Sequence, residues 1–128
     1  MKPTLDENKP LFEQIAETIE DEIIAGGFKE GEQVPSTNQF AAMYQINPAT
    51  AAKGLNKLVE EGILFKKRGI GMFVSPGAKQ KVLEKRKRLF NEQYVWPMLQ
   101  EARKLNIGWD ELERLIKASY TALERERE

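Results

Sequence analysis

The stretch STNQFAAMYQINPATAAKGLNKLVEEGILFKKRGIGMFV, residues 36–74, decides how this chain is organised. Ser36 with Gln39 three positions on has the spacing of a capping box, so a short helix starts there with Phe40, Ala41 and Met43 on its apolar side. Tyr44-Gln45-Ile46 reads as a turn. Asn47 then caps a second helix, with Pro48 at the first helical position, where a missing N–H forfeits no bond. Along that helix Ala51, Leu55, Leu58 and Val59 recur as a buried stripe. At about 100° per residue, the opposite side carries Ala49, Thr50, Lys53 and Lys57. Small and polar groups backed by lysines suit a helix laid in a DNA major groove. A surface amphipathic helix with two solvated lysines has the same periodicity.

Gly62 ends the second helix, and Ile63–Lys66 and Met72–Ser75 follow as short strands. The connection Lys67-Arg68-Gly69-Ile70-Gly71 has the glycines of a hairpin turn. As a wing, Lys66, Lys67 and Arg68 would meet phosphates while the Gly69 tip reaches the minor groove. A plain hairpin edge guarded by lysines is the alternative. The lone GxG lacks the strand-turn-helix context of a nucleotide site.

On the N-terminal side, Met1 to Lys9 is polar and expected to be extended or loose. Pro10 opens a long helix with Phe12, Ile15, Ile19 and Ile23 as its apolar stripe, ended by Gly26-Gly27. Glu13, Glu17, Glu20 and Asp21 read as a solvated face rather than metal ligands, because no histidine accompanies them. Phe28 to Pro35 reads as a loop.

On the C-terminal side, Ser75-Pro76-Gly77 marks a boundary, giving a reader over 1–77 and a helical appendage over 78–128. The first appended helix begins at Ala78 or Lys79; its apolar surface includes Val82, Leu83, Leu89, Phe90, Tyr94, Met98 and Leu99, and Pro97 should kink or break it. Asn106 to Gly108 connects to a last helix, with Asp110 and Glu111 in the dipole-favoured first turn. Leu112, Leu115, Ile116, Tyr120 and Leu123 form its stripe. Two helices cannot bury both stripes alone, so a homodimer is expected, with Leu89, Tyr94, Met98, Leu112, Leu115, Ile116 and Tyr120 at its interface.

Composition narrows the function. The 128 residues can bury one modest core. Without cysteine there is no disulfide or thiolate metal site, which fits a reducing cytoplasm; without histidine the commonest general base is missing. No nucleophile–base pair or metal cluster is visible, so neither an enzyme nor a cofactor or metal is expected. No apolar run approaches a bilayer span, so no membrane is expected as partner. Net charge is zero, but residues 46–88 hold eleven Lys and Arg against three acids, whereas residues 1–45 hold three lysines against nine acids. That basic block, through Lys85-Arg86-Lys87-Arg88, has the form of a phosphate footprint, or of a solvated basic patch.

Four spaced motifs add a resemblance. PLFEQI at 10–15, GGFKEGEQVPS at 26–36, INPATAAKGLNKLVEEGIL at 46–64 and GIGMFV at 69–74 resemble the DNA-binding domain of GntR-type bacterial transcription regulators. The Asn-Pro-x-Thr recognition helix with a short helical tail is similar to the YtrA-type subfamily. The resemblance implies a mainly α fold with a small β-hairpin, a winged helix-turn-helix followed by a short C-terminal helical dimerisation region. It implies Phe28 and Val34 as core under the reading helices. It implies a cytoplasmic repressor that binds an inverted-repeat operator in double-stranded DNA as a homodimer, with transporter genes as its targets. DNA contacts would then fall to Ser36, Thr37, Asn38, Asn47, Ala49, Thr50, Lys53, Lys57, Lys66, Lys67, Arg68 and Gly69. A small-molecule effector could bind between the C-terminal helices, although no convergent polar set points to one.

The chain departs from the family pattern at Asn38, Pro48 and Ala52, where many members carry arginine. The bidentate arginine-to-guanine contact is therefore missing there. That absence motivates a competing reading, a protein-interaction module that heterodimerises with another regulator and binds DNA weakly or not at all. Gly54 should weaken its helix by up to ~1 kcal/mol relative to alanine.

Overall fold

The computed structural model describes residues 8–127, so the reading of Met1 to Lys9 as extended or loose lies largely outside the described residues. Along the chain run α1 (Leu11–Ala25), α2 (Thr37–Tyr44), α3 (Pro48–Glu60), β1 (Leu64–Lys67), β2 (Gly71–Val74), α4 (Ala78–Phe90), a π-helical turn (Asn91–Val95), α5 (Trp96–Lys104) and α6 (Trp109–Arg125). The chain divides into two compact units, one ending at Arg86 and the other beginning at Lys87, and the division falls inside α4.

In the first unit α1, α2 and α3 pack around Ile15, Ile19, Phe40, Leu55 and Leu58, all fully buried. Each such side chain contributes about 1.5–3 kcal/mol by leaving water. Val34 is buried and Phe28 packs at the edge of the core, as the resemblance implied. Local signals fix the helix starts. The Ser36 hydroxyl oxygen accepts from the Gln39 backbone N–H at 3.1 Å, and the Ser36 N–H donates to Gln39 Oε1 at 2.7 Å. The Asn47 side-chain oxygen accepts from the Ala49 N–H at 2.8 Å, with Pro48 in the first turn of α3. Tyr44 belongs to α2 and is buried, so the turn begins at Gln45; Met43 is exposed.

Gly54 has a packing reason that propensity does not show. A Cβ there would stand 2.7 Å from the Phe12 carbonyl oxygen and 3.1 Å from Ile15 Cβ, so glycine is what lets α3 approach α1. β1 and β2 pair antiparallel with Leu64 opposite Val74 and Lys67 opposite Gly71. The first strand starts one residue later than expected, because the Ile63 N–H closes the end of α3 on the Leu58 carbonyl at 2.9 Å. The loop before α2 adds a bridge to this hairpin, Gln33 beside Phe73.

The first unit also runs past Gly77. Ala78 and Val82, read from sequence as part of the appendage, are fully buried in its core. Glu20, expected on a solvated face, is 1% exposed: one carboxylate oxygen accepts from Lys85 Nζ at 2.7 Å and the other from Arg86 Nε at 3.1 Å. Arg86 also reaches Asp21 at 2.8 Å and the Glu17 carbonyl, and Lys85 reaches Glu61 at 2.9 Å. Burial alone would lower the pKa of the Lys85 ammonium, but its bonds to Glu20 and Glu61 and their charges outweigh that, and the net direction is upward. The solvated-face reading of Glu20 is thereby corrected, and so is the inclusion of Lys85 and Arg86 in a phosphate footprint. Helical periodicity marks Glu20 as off the apolar stripe, but it cannot foresee two cations arriving from α4.

The second unit holds the end of α4, the π turn, α5 and α6. Pro97 acts where expected. Its ring would clash with the Gln93 carbonyl of a regular helix, and the helix widens instead, with the Trp96 N–H bonded to the Asn91 carbonyl. Asn106 at positive φ ends the segment, and the Ile107 N–H bonds the Ala102 carbonyl at 2.9 Å. Asp110 and Glu111 occupy the first turn of α6. Of the apolar residues here only Ala102 and Leu112 are buried; Tyr94, Trp96, Leu105, Trp109 and Tyr120 are each about 60% exposed or more.

Candidate nucleic-acid interface

Three parts of the first unit carry the residues expected to contact DNA: α3, the start of α2 and the hairpin. On α3, Ala49 and Lys53 are exposed and Thr50 and Lys57 half-buried, opposite fully buried Ala51, Leu55 and Leu58. Ala49, Thr50 and Lys53 meet Leu11 and Phe12 around a shallow cleft of about 450 Å³. The Lys53 ammonium lies 4.1 Å from the centre of the Phe12 ring, which orders the long side chain without neutralising its charge. Lys57 makes only a loose 3.9 Å pair with Glu61.

At the caps, Ser36 and Asn47 each use an acceptor on a helix N–H. The Ser36 O–H and the Asn47 amide N–H groups remain as donors for phosphate. Asn38 is exposed and Thr37 half-buried.

In the hairpin, Lys66, Lys67, Arg68 and Gly69 are all exposed. The stacked Phe65 and Phe73 rings, 5.7 Å apart, form a platform, and Lys67 Nζ sits 4.4 Å from the Phe73 ring centre. Phe12, Phe65 and Phe73 are thus supports for cations that sequence reading had cited alone. Alternation along the strands is a signal for the two hairpin aromatics, whereas Phe12 falls on the apolar stripe of its helix and is half-buried there.

The expected interface residues of the second unit lie on partly or fully exposed apolar surface, with one exception. Leu112 is 7% exposed and serves the unit's own small core. Met98, Leu105, Leu115, Ile116, Tyr120 and Leu123 line a groove of about 590 Å³. A second cavity, about 640 Å³, is lined by Trp96, Trp109, Leu99 and Ile107 with Gln100 and Arg103. Among the described residues there is no grouping of acidic side chains fit to hold a metal, and no helix is long and apolar enough to cross a membrane.

A capped two-helix reader followed by a two-stranded hairpin is the arrangement of winged helix-turn-helix DNA-binding proteins. The chain belongs to the bacterial regulatory proteins of the gntR family, whose model matches residues 11–74. It is 29% identical over 108 residues to the HTH-type transcriptional repressor YtrA of Bacillus subtilis (strain 168), covering 84% of this chain and 82% of that one. A solved transcriptional regulator of the GntR family from Bacteroides thetaiotaomicron superposes with a TM-score of 0.73 at 30% identity, covering 91% of this chain and 98% of that one. The solved DNA-binding domain of AraR in complex with an operator aligns with 59% of this chain and 92% of that one, at a TM-score of 0.52 and 26% identity. Other relatives are much longer: the match to the arabinose metabolism transcriptional repressor of Geobacillus stearothermophilus, 35% identical over 74 residues, spans 57% of this chain and only 20% of that protein.

Proposed function

We propose that this chain is a cytoplasmic repressor that reads an inverted-repeat operator as a homodimer. Thr50, Lys53 and Lys57 of α3 enter the major groove, and Ser36, Thr37, Asn38, Asn47 and Ala49 contact backbone or groove edge. Lys66, Lys67, Arg68 and Gly69 serve as the wing. The observation that carries this reading is the outward face of α3, whose exposed and ring-ordered Lys53 lies opposite the fully buried Ala51, Leu55 and Leu58. A helix so divided offers its N-terminal half to a groove while the core stays closed.

The second copy is supported by the open apolar groove of α5 and α6, with Leu89, Tyr94, Met98, Leu115, Ile116 and Tyr120 as the residues it covers. Two readers joined by that interface meet two half-sites. The cavity beside Trp96 and Trp109 has room for a small-molecule effector. Transporter genes are the proposed targets, on the family likeness.

The test is binding of the full chain to a duplex covering the DNA upstream of its own gene, across a salt series. Lys53→Ala and Arg68→Ala should each weaken binding, and each should reduce the log–log salt slope by about one unit where it neutralises a phosphate. Unchanged affinity in both variants would remove the proposed groove face. No binding by the unmodified chain to this duplex or to a random-sequence pool would favour an interaction module that pairs with another regulator.

A further inference from the structure

The tip of the hairpin is held by a residue that lies outside it. Gln33 sits in the loop before α2, bridged to Phe73, and its side-chain Nε2 donates to the Ile70 carbonyl at 3.0 Å. The same amide closes over Gly71: a Cβ at that position would stand 2.5 Å from it, and the glycine has φ 149°. From within the turn, the Ile70 N–H bonds the Lys67 carbonyl at 3.0 Å. The backbone on both sides of Ile70 is therefore fixed, while its side chain is 64% exposed. Three exposed cations precede it, Lys66, Lys67 and Arg68. An isoleucine set out in water at the apex of a cationic hairpin adds nothing to the core, and pinning its backbone costs conformational entropy. Both features make sense where the side chain meets a second surface.

We infer that Gln33 is a positioning residue for the wing, holding Ile70 out as an apolar contact in the minor groove of the operator's flanks. This rests on the reading of the hairpin as a DNA wing. The cations neutralise phosphates beside the groove, and the Ile70 side chain lies against the groove floor. There the guanine 2-amino group is the feature that separates G·C from A·T. An apolar side chain cannot hydrogen-bond that amino group and is crowded by it, so the wing selects A·T pairs beneath its tip.

The experiment uses the full chain and a duplex that it enriches from a random-sequence pool. Pairs in the wing-protected flanks are changed from A·T to G·C, and separately to inosine·C, which keeps the guanine pattern in the major groove but lacks the 2-amino group. The unmodified chain should lose about tenfold in affinity on G·C and recover on inosine·C. Ile70→Ala should reduce that discrimination to about twofold or less, and so should Gln33→Met, which keeps the length and removes the donor. Neither change removes a charge, so the salt slope should hold. Discrimination retained in Ile70→Ala overturns the apolar contact, and discrimination retained in a folded Gln33→Met overturns the clamp. Should Gln33→Met fail to fold, Gly71→Ala, which drives a methyl into the Gln33 amide, must lose the discrimination or the clamp is wrong. An Arg68→Ala variant with unmodified affinity and slope would sink the wing reading itself, whereas these inferences fail with the Arg68 effect intact.

Discussion

In the reader unit Ile15, Ile19, Phe40, Leu55 and Leu58 are completely buried, whereas in the C-terminal unit burial stops at Ala102 and Leu112 and most of the large apolar side chains face water. Both units contain amphipathic helices. The difference lies in how many directions supply cover. α3 is covered by α1, α2 and the hairpin, and Gly54 lets α1 close to backbone contact. In the C-terminal unit α5 and α6 leave a groove of about 590 Å³. A stripe becomes a core only where a third element arrives; where none does, it is a surface awaiting one.

The sharpest way to break this comparison is to move the end of the reader. A chain stopped at Gly77 loses Ala78 and Val82 from the core, together with Lys85 and Arg86, the cations paired with Glu20. Losing these buried apolar contacts and exposing the surface they cover costs about 3–5 kcal/mol, a large share of a small domain's stability, so this fragment should show no cooperative thermal transition, whereas one stopped at Phe90 should melt cooperatively as a monomer. Equal melting of the two fragments would show that α4 is dispensable to the reader.

Next in size is Leu115→Glu, which puts a charge into the open groove. Self-association measured by sedimentation should weaken on the order of 100-fold, while the melting of the reader unit stays put. A smaller effect, with its sign in question until the packing is considered, is expected from Gly54→Ala. Helix propensity alone favours alanine by up to ~1 kcal/mol, but the new methyl meets the Phe12 carbonyl. Denaturant unfolding should therefore show a net loss of about 1–3 kcal/mol. A gain would mean that α1 yields freely.

The smallest expected effect is a pH dependence. Because the folded-state pKa of Lys85 is raised from its ordinary 10.5, its contribution is fully present below that value and is lost as pH rises through the raised one. The stability difference between the unmodified chain and Lys85→Met should thus be constant from neutral pH to about pH 9 and shrink only in stronger alkali. A difference that vanishes near neutrality would contradict the pairing of Lys85 with Glu20 and Glu61.

What the sequence revealed follows from range. Capping at Ser36 and Asn47, the stripe of α3, the Pro97 disturbance and the glycine-rich hairpin are all set by residues within a few positions of one another. Glu20 with Lys85, Gln33 with Ile70 and Gly54 with Phe12 join residues far apart in the chain, and no local pattern announces them. Sequence reading accordingly placed the cations of the candidate site and missed the residues that hold them. It also put the boundary at Pro76-Gly77, where the local signal is strong, although the reader's compact unit continues to Arg86.

Trp96 and Trp109 are the chain's two tryptophans; both lie beyond Arg86 and both stand largely in water. The protein therefore carries an intrinsic fluorophore pair confined to the unit whose apolar faces are open, and none in the unit that reads DNA. Emission excited at wavelengths that spare tyrosine will follow solvent access to the C-terminal helices alone. A blue shift on adding a small molecule would mark filling of the cavity that both tryptophans line, without any attached dye. The same signal would stay silent while the reader folds, docks or unfolds, so the two halves of the molecule can be watched separately in one cuvette.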